Sequence, residues 1–231
     1  MAMTGSQTVL ITGGNRGIGL TLAQQLSQRG ERVIVACRQA SEELKALANQ
    51  YQNSFAIIEG LDVRSPQKLS QELKSLGITK LDVLINNAGL LVRDHLEDLN
   101  YETIQAQFEI NTLGPLKVTE ACLSLLSKGS KIANISSRMG SISDNSSGGM
   151  YGYRISKAAL NMASISLAKD LAPQGIAVII LHPGYVKTGM TGHKGLIETD
   201  ESAQGLIKRI DELSLENSGG FWHSNGEALP W

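Results

Sequence analysis

Apolar residues come in blocks along this chain, and two kinds of block alternate. Thr8-Val9-Leu10-Ile11 is a short apolar run without polar alternation, the pattern of a strand covered on both faces. From Gly17 to Arg29 the apolar positions Ile18, Leu22 and Leu26 recur at helical spacing, and Gly30 supplies a stop. The alternation then continues. Strands are predicted at Arg32 to Ala36, Phe55 to Ile58, Leu81 to Ile85, Lys131 to Ser136 and Ile176 to Leu181, with a short last one at Gly220 to His223. Helices are predicted at Ser41 to Gln50 with Ser41 as N-cap, from Ser65-Pro66 onward, in a long stretch Tyr101 to Ser127, at Tyr153 to Leu171 and at Glu201 to Leu213. The Ser- and Gly-rich stretch Gly140 to Gly152 reads as a loop.

Strands that alternate with crossover helices form a parallel sheet covered on both faces. The expected fold is α/β: one doubly wound domain over residues 1–231, with a seven-stranded, mostly parallel sheet. In such folds ligands bind beyond the carboxyl ends of the strands, where strand order reverses. The chemistry should therefore lie just after each strand.

Composition narrows the function classes. Basic and acidic residues number 21 and 22, with no basic cluster, which argues against a nucleic-acid partner. No apolar run approaches the roughly 20 residues of a membrane span, and residues 1–7 are too short and polar for a secretory signal. Cys37 and Cys122 have neither metal-ligand nor disulfide spacing, and a cytoplasmic setting is expected. The four histidines, His95, His182, His193 and His223, are scattered, so no metal site is expected and they are read as surface or loop residues. Glycine accounts for 24 of 231 residues, above the usual roughly 7%, and its positions matter.

After the first predicted strand comes Thr12-Gly13-Gly14-Asn15-Arg16-Gly17-Ile18-Gly19. Glycines allow a tight turn and close backbone approach, and the following helix points free N–H groups at an anion. This is the pattern of a dinucleotide pyrophosphate site, although its Gly-x3-Gly-x-Gly spacing differs from the common one. After the second strand, Cys37-Arg38 stands where an NAD site would carry an acid for the ribose hydroxyls. With Arg16 in the glycine turn, two guanidiniums could pair with a 2′-phosphate, which points to NADP(H) over NAD(H) unless one or both are plain surface arginines. Asp62, followed by Val63, could meet an adenine amino group or cap the next helix. Asn86-Asn87-Ala88-Gly89 could let a ribose lie against the backbone, tie strands together, or do both. Tyr153 and Lys157 lie four apart on one helix face, where an ammonium would lower the phenol pKa and fit it for acid/base work.

Together, Thr12 to Gly19, Asn86 to Gly89, Asn111, Ser136-Ser137, Tyr153 with Lys157, and Pro183-Gly184 resemble the short-chain dehydrogenase/reductase family, of the compact single-domain branch with a Rossmann-type fold. The stretch Arg138 to Arg154 and the ending Gly226 to Trp231 are similar to its carbonyl reductases of the sniffer type, a group that includes a bacterial C-factor signalling protein. The resemblance implies reduction of ketones or aldehydes by NADPH, reversibly, on a small-molecule substrate. Tyr153 would be the acid/base, Lys157 would bind the nicotinamide ribose and depress the Tyr153 pKa, and Ser137 would bind the substrate oxygen. Asn111 would hold a relay water. Pro183, Gly184, Val186 and Thr188 would lie over the nicotinamide, with Val186 and Thr188 on its carboxamide. The Ser137-to-Tyr153 gap is longer than usual in the family, with the extra residues at Ser143 to Gly149. Ser141 is thus a second candidate, and Ser137 is preferred because it ends a strand. A substrate lid would span about residues 188–215, short and mobile over Gly189 to Glu198. A homodimer or homotetramer is implied, for which Leu160, Ala163, Leu167 and Leu171 could serve an interface or the core. A binding-only signalling role is the alternative, against which the complete set of catalytic residues speaks.

Overall fold

The computed structural model describes residues 6–231. Its strands are β1 (Thr8–Thr12), β2 (Arg32–Cys37), β3 (Phe55–Glu59), β4 (Val83–Asn86), β5 (Lys131–Ile135), β6 (Ala177–His182) and β7 (Phe221–His223). Its helices are α1 (Gly17–Gln28), α2 (Glu42–Gln50), α3 (Leu69–Ser75), α4 (Tyr101–Phe108), α5 (Gly114–Cys122), α6 (Tyr151–Leu171) and α7 (Thr199–Asp211). The strands form one sheet in the order β3-β2-β1-β4-β5-β6-β7, and every neighbouring pair is parallel. Strand order reverses between β1 and β4, so a crevice opens there beyond Thr12 and Asn86.

Alternate strand residues feed two separate cores. Val9, Ile11, Val33, Val35, Ile85 and Ile179 pack on one face, against Leu22 of α1, Leu44 of α2 and Leu206 of α7. Leu10, Ile34, Leu84, Ile132 and Val178 pack on the other, against Leu69 and Leu73 of α3 and Val118 of α5. Burial on both faces explains why the strands read as unbroken apolar runs.

Three predicted elements differ in the structure. The helix expected at Ser65-Pro66 begins only at Leu69, because Asp62 organises a turn first. Its carboxylate accepts from the Arg64 N–H at 2.9 Å, and its carbonyl from the Ser65 N–H. The stretch Tyr101 to Ser127 is not one helix: α4 passes into a π turn at Glu109–Leu113, then into α5, then into a 3₁₀ turn at Leu123–Leu125. Pro115 has no N–H to give the carbonyl four residues back, so regular α bonding cannot continue through Asn111. The loop before α6 ends early, at Met150, whose left-handed φ of 55° turns the chain into the helix. Of the four α6 residues named for an interface or the core, Leu160 and Leu171 are buried, whereas Ala163 and Leu167 are half-buried.

Candidate active site

The loop joining β1 to α1 sits against the end of β4. Gly13 has φ 68°, and a Cβ there would lie 2.8 Å from the Cα of Ala88; at Gly19 a Cβ would lie 2.5 Å from the Gly13 carbonyl oxygen. Only glycine fits either place. Asn87 holds the loop in shape: its side-chain amide donates to the carbonyls of Thr12 (3.1 Å) and Gly13 (3.0 Å). The Thr12 hydroxyl accepts in turn from the Asn87 and Ala88 N–H groups. Asn86 points the other way and donates to Asn134 of β5 at 2.8 Å. Both asparagines thus carry the strand-tying role expected of them. At the start of α1, Arg16 makes no side-chain cap, and no acidic residue lies in the first turn. The free N–H groups and positive dipole end of a 12-residue helix therefore face a cradle that side chains would fill. That cradle fits a pyrophosphate.

Arg16 and Arg38 are exposed, and neither has a carboxylate partner among the described residues. Between their loops lies a depression of about 320 Å³ lined by Asn15, Gln39, Ala40, Ser41 and Glu42. Asp62 is less free than the sequence suggested. Arg64 grips its carboxylate through two guanidinium nitrogens, at 2.6 and 3.0 Å, and holds it below the usual carboxylate range. Val63 is buried against Gly114 at the start of α5. Ile18 and Gly89 are half-buried at the crevice edge.

Beyond β5 and on α6 the contacts are made by side chains. Ser137 lies at the β5 end, accepts from the Met139 N–H at 3.2 Å, and lies near enough to the Tyr153 phenol to favour its ionised form. Ser141, the other candidate, is turned away: it receives the Asp144 N–H and faces Ser143. Tyr153 and Lys157 are both buried, and the Lys157 ammonium lies 5.8 Å from the Tyr153 ring centre, donating to the Ile135 carbonyl at 2.8 Å. The electrostatics correct one expectation. Burial pushes the Tyr153 phenol up to about 12 against the opposing pull of Ser137, and it pushes the Lys157 ammonium down to about 7. Desolvation of the phenolate outweighs a neighbouring ammonium that is itself desolvated. Asn111, on the π turn, spends its side chain on protein partners. It donates to the Leu90 carbonyl (2.7 Å) and the Ser156 hydroxyl (3.0 Å), and accepts from the Leu90 N–H (2.7 Å).

The segment after β6 forms a bonded hook. The Leu196 and Ile197 N–H groups both donate to the Tyr185 carbonyl, Thr191 donates to the Val186 carbonyl at 2.6 Å, and Lys187 pairs with Glu198. Val186 is buried, and the Thr188 methyl reaches to 3.4 Å of where a Cβ on Gly17 would stand. Thr188 and the glycine loop therefore meet across the crevice. The Pro183 carbonyl accepts from Ser202 and Ser224, which fixes the base of the hook, and Gly184 follows with φ 92°.

Residues 7–197 match the sequence model of the short chain dehydrogenases. The chain belongs to that family. A 1-hydroxy-2-glutathionyl-2-methyl-3-butene dehydrogenase of Rhodococcus sp. (strain AD45) is 42% identical over 231 residues, covering 97% of this chain and 99% of the relative. The C-signal of Myxococcus xanthus is 45% identical over 154 residues, 65% of this chain and 93% of that protein. Among solved structures, the carbonyl reductase Sniffer of D. melanogaster superposes with a TM-score of 0.91 at 33% identity, covering 98% of this chain and 100% of that one.

Two histidines of this short-chain dehydrogenase depart from the surface positions expected of them. His182 ends β6 and His223 lies on β7, with ring centres 4.8 Å apart; burial pushes the His182 imidazole down to about 3. Among the described residues, no three His, Cys, Asp or Glu side chains gather as metal ligands, and no helix is long and apolar enough to cross a membrane. Sequence reasoning missed Asp94. From a loop 58 residues upstream its buried carboxylate caps α6, taking the N–H groups of Tyr151 and of Gly152, the latter at 3.0 Å. An isolated Asp in a loop gives no sign of so distant a partner.

Proposed function

We propose that this short-chain dehydrogenase is an NADPH-dependent reductase of ketones or aldehydes, acting reversibly on the corresponding alcohols. The observation that carries the reading is the burial of Ser137, Tyr153 and Lys157 together at the β5–α6 junction, with the Lys157 ammonium 5.8 Å from the Tyr153 ring centre. Gly13, Asn15, Gly17, Ile18 and Gly19 would hold the cofactor pyrophosphate, Asp62 and Val63 the adenine side, and Asn87, Ala88 and Gly89 the ribose. Pro183, Gly184, Val186 and Thr188 would hold the nicotinamide, with Lys157 on its ribose. The exposed guanidiniums of Arg16 and Arg38, each next in sequence to a residue lining the Asn15–Gln39 depression, support NADPH over NADH, since they suit a 2′-phosphate. When bound, that cofactor supplies a hydride for a carbonyl carbon.

The chain's own residues do the rest. Ser137 and Tyr153 donate hydrogen bonds to the substrate oxygen as negative charge grows on it, usually the largest single contribution to such catalysis. Tyr153, held protonated by its burial, gives its proton to that oxygen. The adjacent Lys157 ammonium favours the phenolate that remains. Asn111 holds the Leu90 segment to α6 beside Ser156, and a relay water for Lys157 would sit against it. Residues 188–215 would cover the substrate, the pinned hook forming their first half.

Tyr153→Phe tests the reading. Turnover of a carbonyl panel with NADPH should fall by about 10²–10⁴-fold, the usual share of a positioned proton donor, while NADPH binding by fluorescence titration is kept. Unchanged turnover would overturn it. The C-signal relative favours a second reading, in which binding the dinucleotide rather than turnover is the function. A wild-type protein that binds NADPH but oxidises none of it across the panel would favour that one.

A further inference from the structure

We infer that Asn161 is a positioning residue that clamps the Ser137 turn onto the helix bearing Tyr153; the inference rests on the carbonyl-reductase reading above. Ser137 and Tyr153 must meet in one geometry, yet they come from different elements. Ser137 sits in the turn Ser136 to Gly140 beyond β5, and Tyr153 sits in the first turns of α6. Arg154 of α6 reaches the Met139 carbonyl of the turn at 3.4 Å, and one buried amide further along α6 bonds the turn twice. The Asn161 carbonyl oxygen accepts from the Ser136 hydroxyl at 2.6 Å, and its amide nitrogen donates to the Gly140 carbonyl at 3.3 Å. The two bonds grip the turn one residue before Ser137 and three residues after it.

The turn has little other freedom. Its own bonds close it, from the Gly140 N–H to the Ser137 carbonyl at 2.8 Å and from the Met139 N–H to the Ser137 hydroxyl at 3.2 Å. A Cβ on Gly140 would lie 2.8 Å from the Lys157 carbonyl carbon, so the turn rests directly on the backbone of α6. Ser136 adds a long contact, 3.5 Å, to the Lys157 carbonyl. Asn161 lies one turn beyond Lys157 and is 4% exposed. It bonds none of the reacting groups itself, and acts on them through the turn that carries Ser137.

The molecule contains its own control. One step down the same interface, Asn134 of β5 donates to Ser164 of α6 at 2.8 Å, and Ser164 donates to the Leu160 carbonyl at 2.6 Å. This pair also ties β5 to α6 and is as deeply buried, but it does not hold the Ser137 turn.

The experiment compares Asn161→Leu, Asn161→Asp and Ser164→Ala, with Tyr153→Phe in parallel, using NADPH and the best carbonyl of the panel. Asn161→Leu should lower kcat by about 10- to 100-fold, as a displacement near 1 Å does in a positioned site, with KM and NADPH affinity little changed. Asn161→Asp keeps the acceptor for Ser136 and loses the donor for Gly140, so its kcat should lie between wild type and Asn161→Leu. In alcohol oxidation the rate profile of Asn161→Leu, which adds no charge, should move to higher pH, because Ser137 no longer helps to draw the Tyr153 proton away. Lys157, whose ammonium lies 5.8 Å from the Tyr153 ring centre, is kept in all three variants. Ser164→Ala should lower Tm but leave kcat and the pH profile as in wild type. Should Asn161→Leu not fold, Asn161→Asp decides. Wild-type kcat and pH profile in a folded Asn161 variant, with Tyr153→Phe inactive, would overturn this inference alone. Retained turnover in Tyr153→Phe would overturn the reading beneath it.

Discussion

The two halves of the crevice position their groups by opposite means. At the glycine loop it is the lack of side chains that matters: Gly13 and Gly19 bring bare backbone up to Ala88 and to the loop's own carbonyl. At the β5–α6 junction it is the presence of buried polar side chains, Asn134, Ser136, Asn161 and Ser164, each with a partner on the facing element or its own helix. The first arrangement exposes N–H groups toward an anion and needs only room. The second must hold two hydroxyls at a set distance, which apolar packing alone would leave free to slide. Damage to one half should therefore appear in binding, and damage to the other in turnover.

The largest test of that division is the pair Tyr153→Phe and Gly19→Ala. Against the loss of kcat expected of the first, Gly19→Ala should raise the NADPH Kd by about 10- to 100-fold, matching an overpacking strain of roughly 1–3 kcal/mol. Its kcat at saturating NADPH should stay near wild type. A variant that binds NADPH normally and turns over slowly would break the comparison. Next in size is Arg38→Ala, which loses a charge-assisted pairing and should raise the NADPH KM by about ten-fold while leaving the NADH KM in place. Equal weakening of both cofactors would remove the 2′-phosphate reading.

The last test reads stability rather than binding or turnover. Folding pushes the Lys157 ammonium down to about 7 from 10.5, so between those values the unfolded chain holds a proton that the folded one has released. Stability then rises with pH across that window. The Tyr153 shift acts only above about 10, in the opposite direction. From pH 7 to 10 the Tm of wild type should climb relative to that of Lys157→Met; parallel curves would place Lys157 in solvent contact.

The difference between the halves also explains what the sequence made legible. A glycine cluster between a strand and a helix is a local signal, and so is each strand buried on both faces, which is why the β-α alternation and the tight glycine turn could be read directly. Tyr153 and Lys157 were legible for the same reason, being four apart on one helix. Asn161 and Ser164 were not, because polar residues on a helix read as its solvent face, whereas here they lie in the buried stripe with Leu160. Asp94 was hidden by its distance along the chain from α6. The Tyr153 pKa was misjudged because the sequence reveals a neighbouring charge but not the depth at which both groups lie.

The π turn at Glu109–Leu113 can be regarded as one residue too many in an otherwise regular helical path from Tyr101 to Cys122. A π turn takes more residues per revolution than an α turn, so it absorbs the extra residue, and removing one would leave the flanking helices nearly in place while closing the widened turn that carries Asn111. A single deletion there would spare the helix and carry the Asn111 amide away from both Leu90 and Ser156. The local helical geometry is thus more forgiving of deletion than the site is. In a family of variants this segment should accept exchanges of residue far more readily than any change of length.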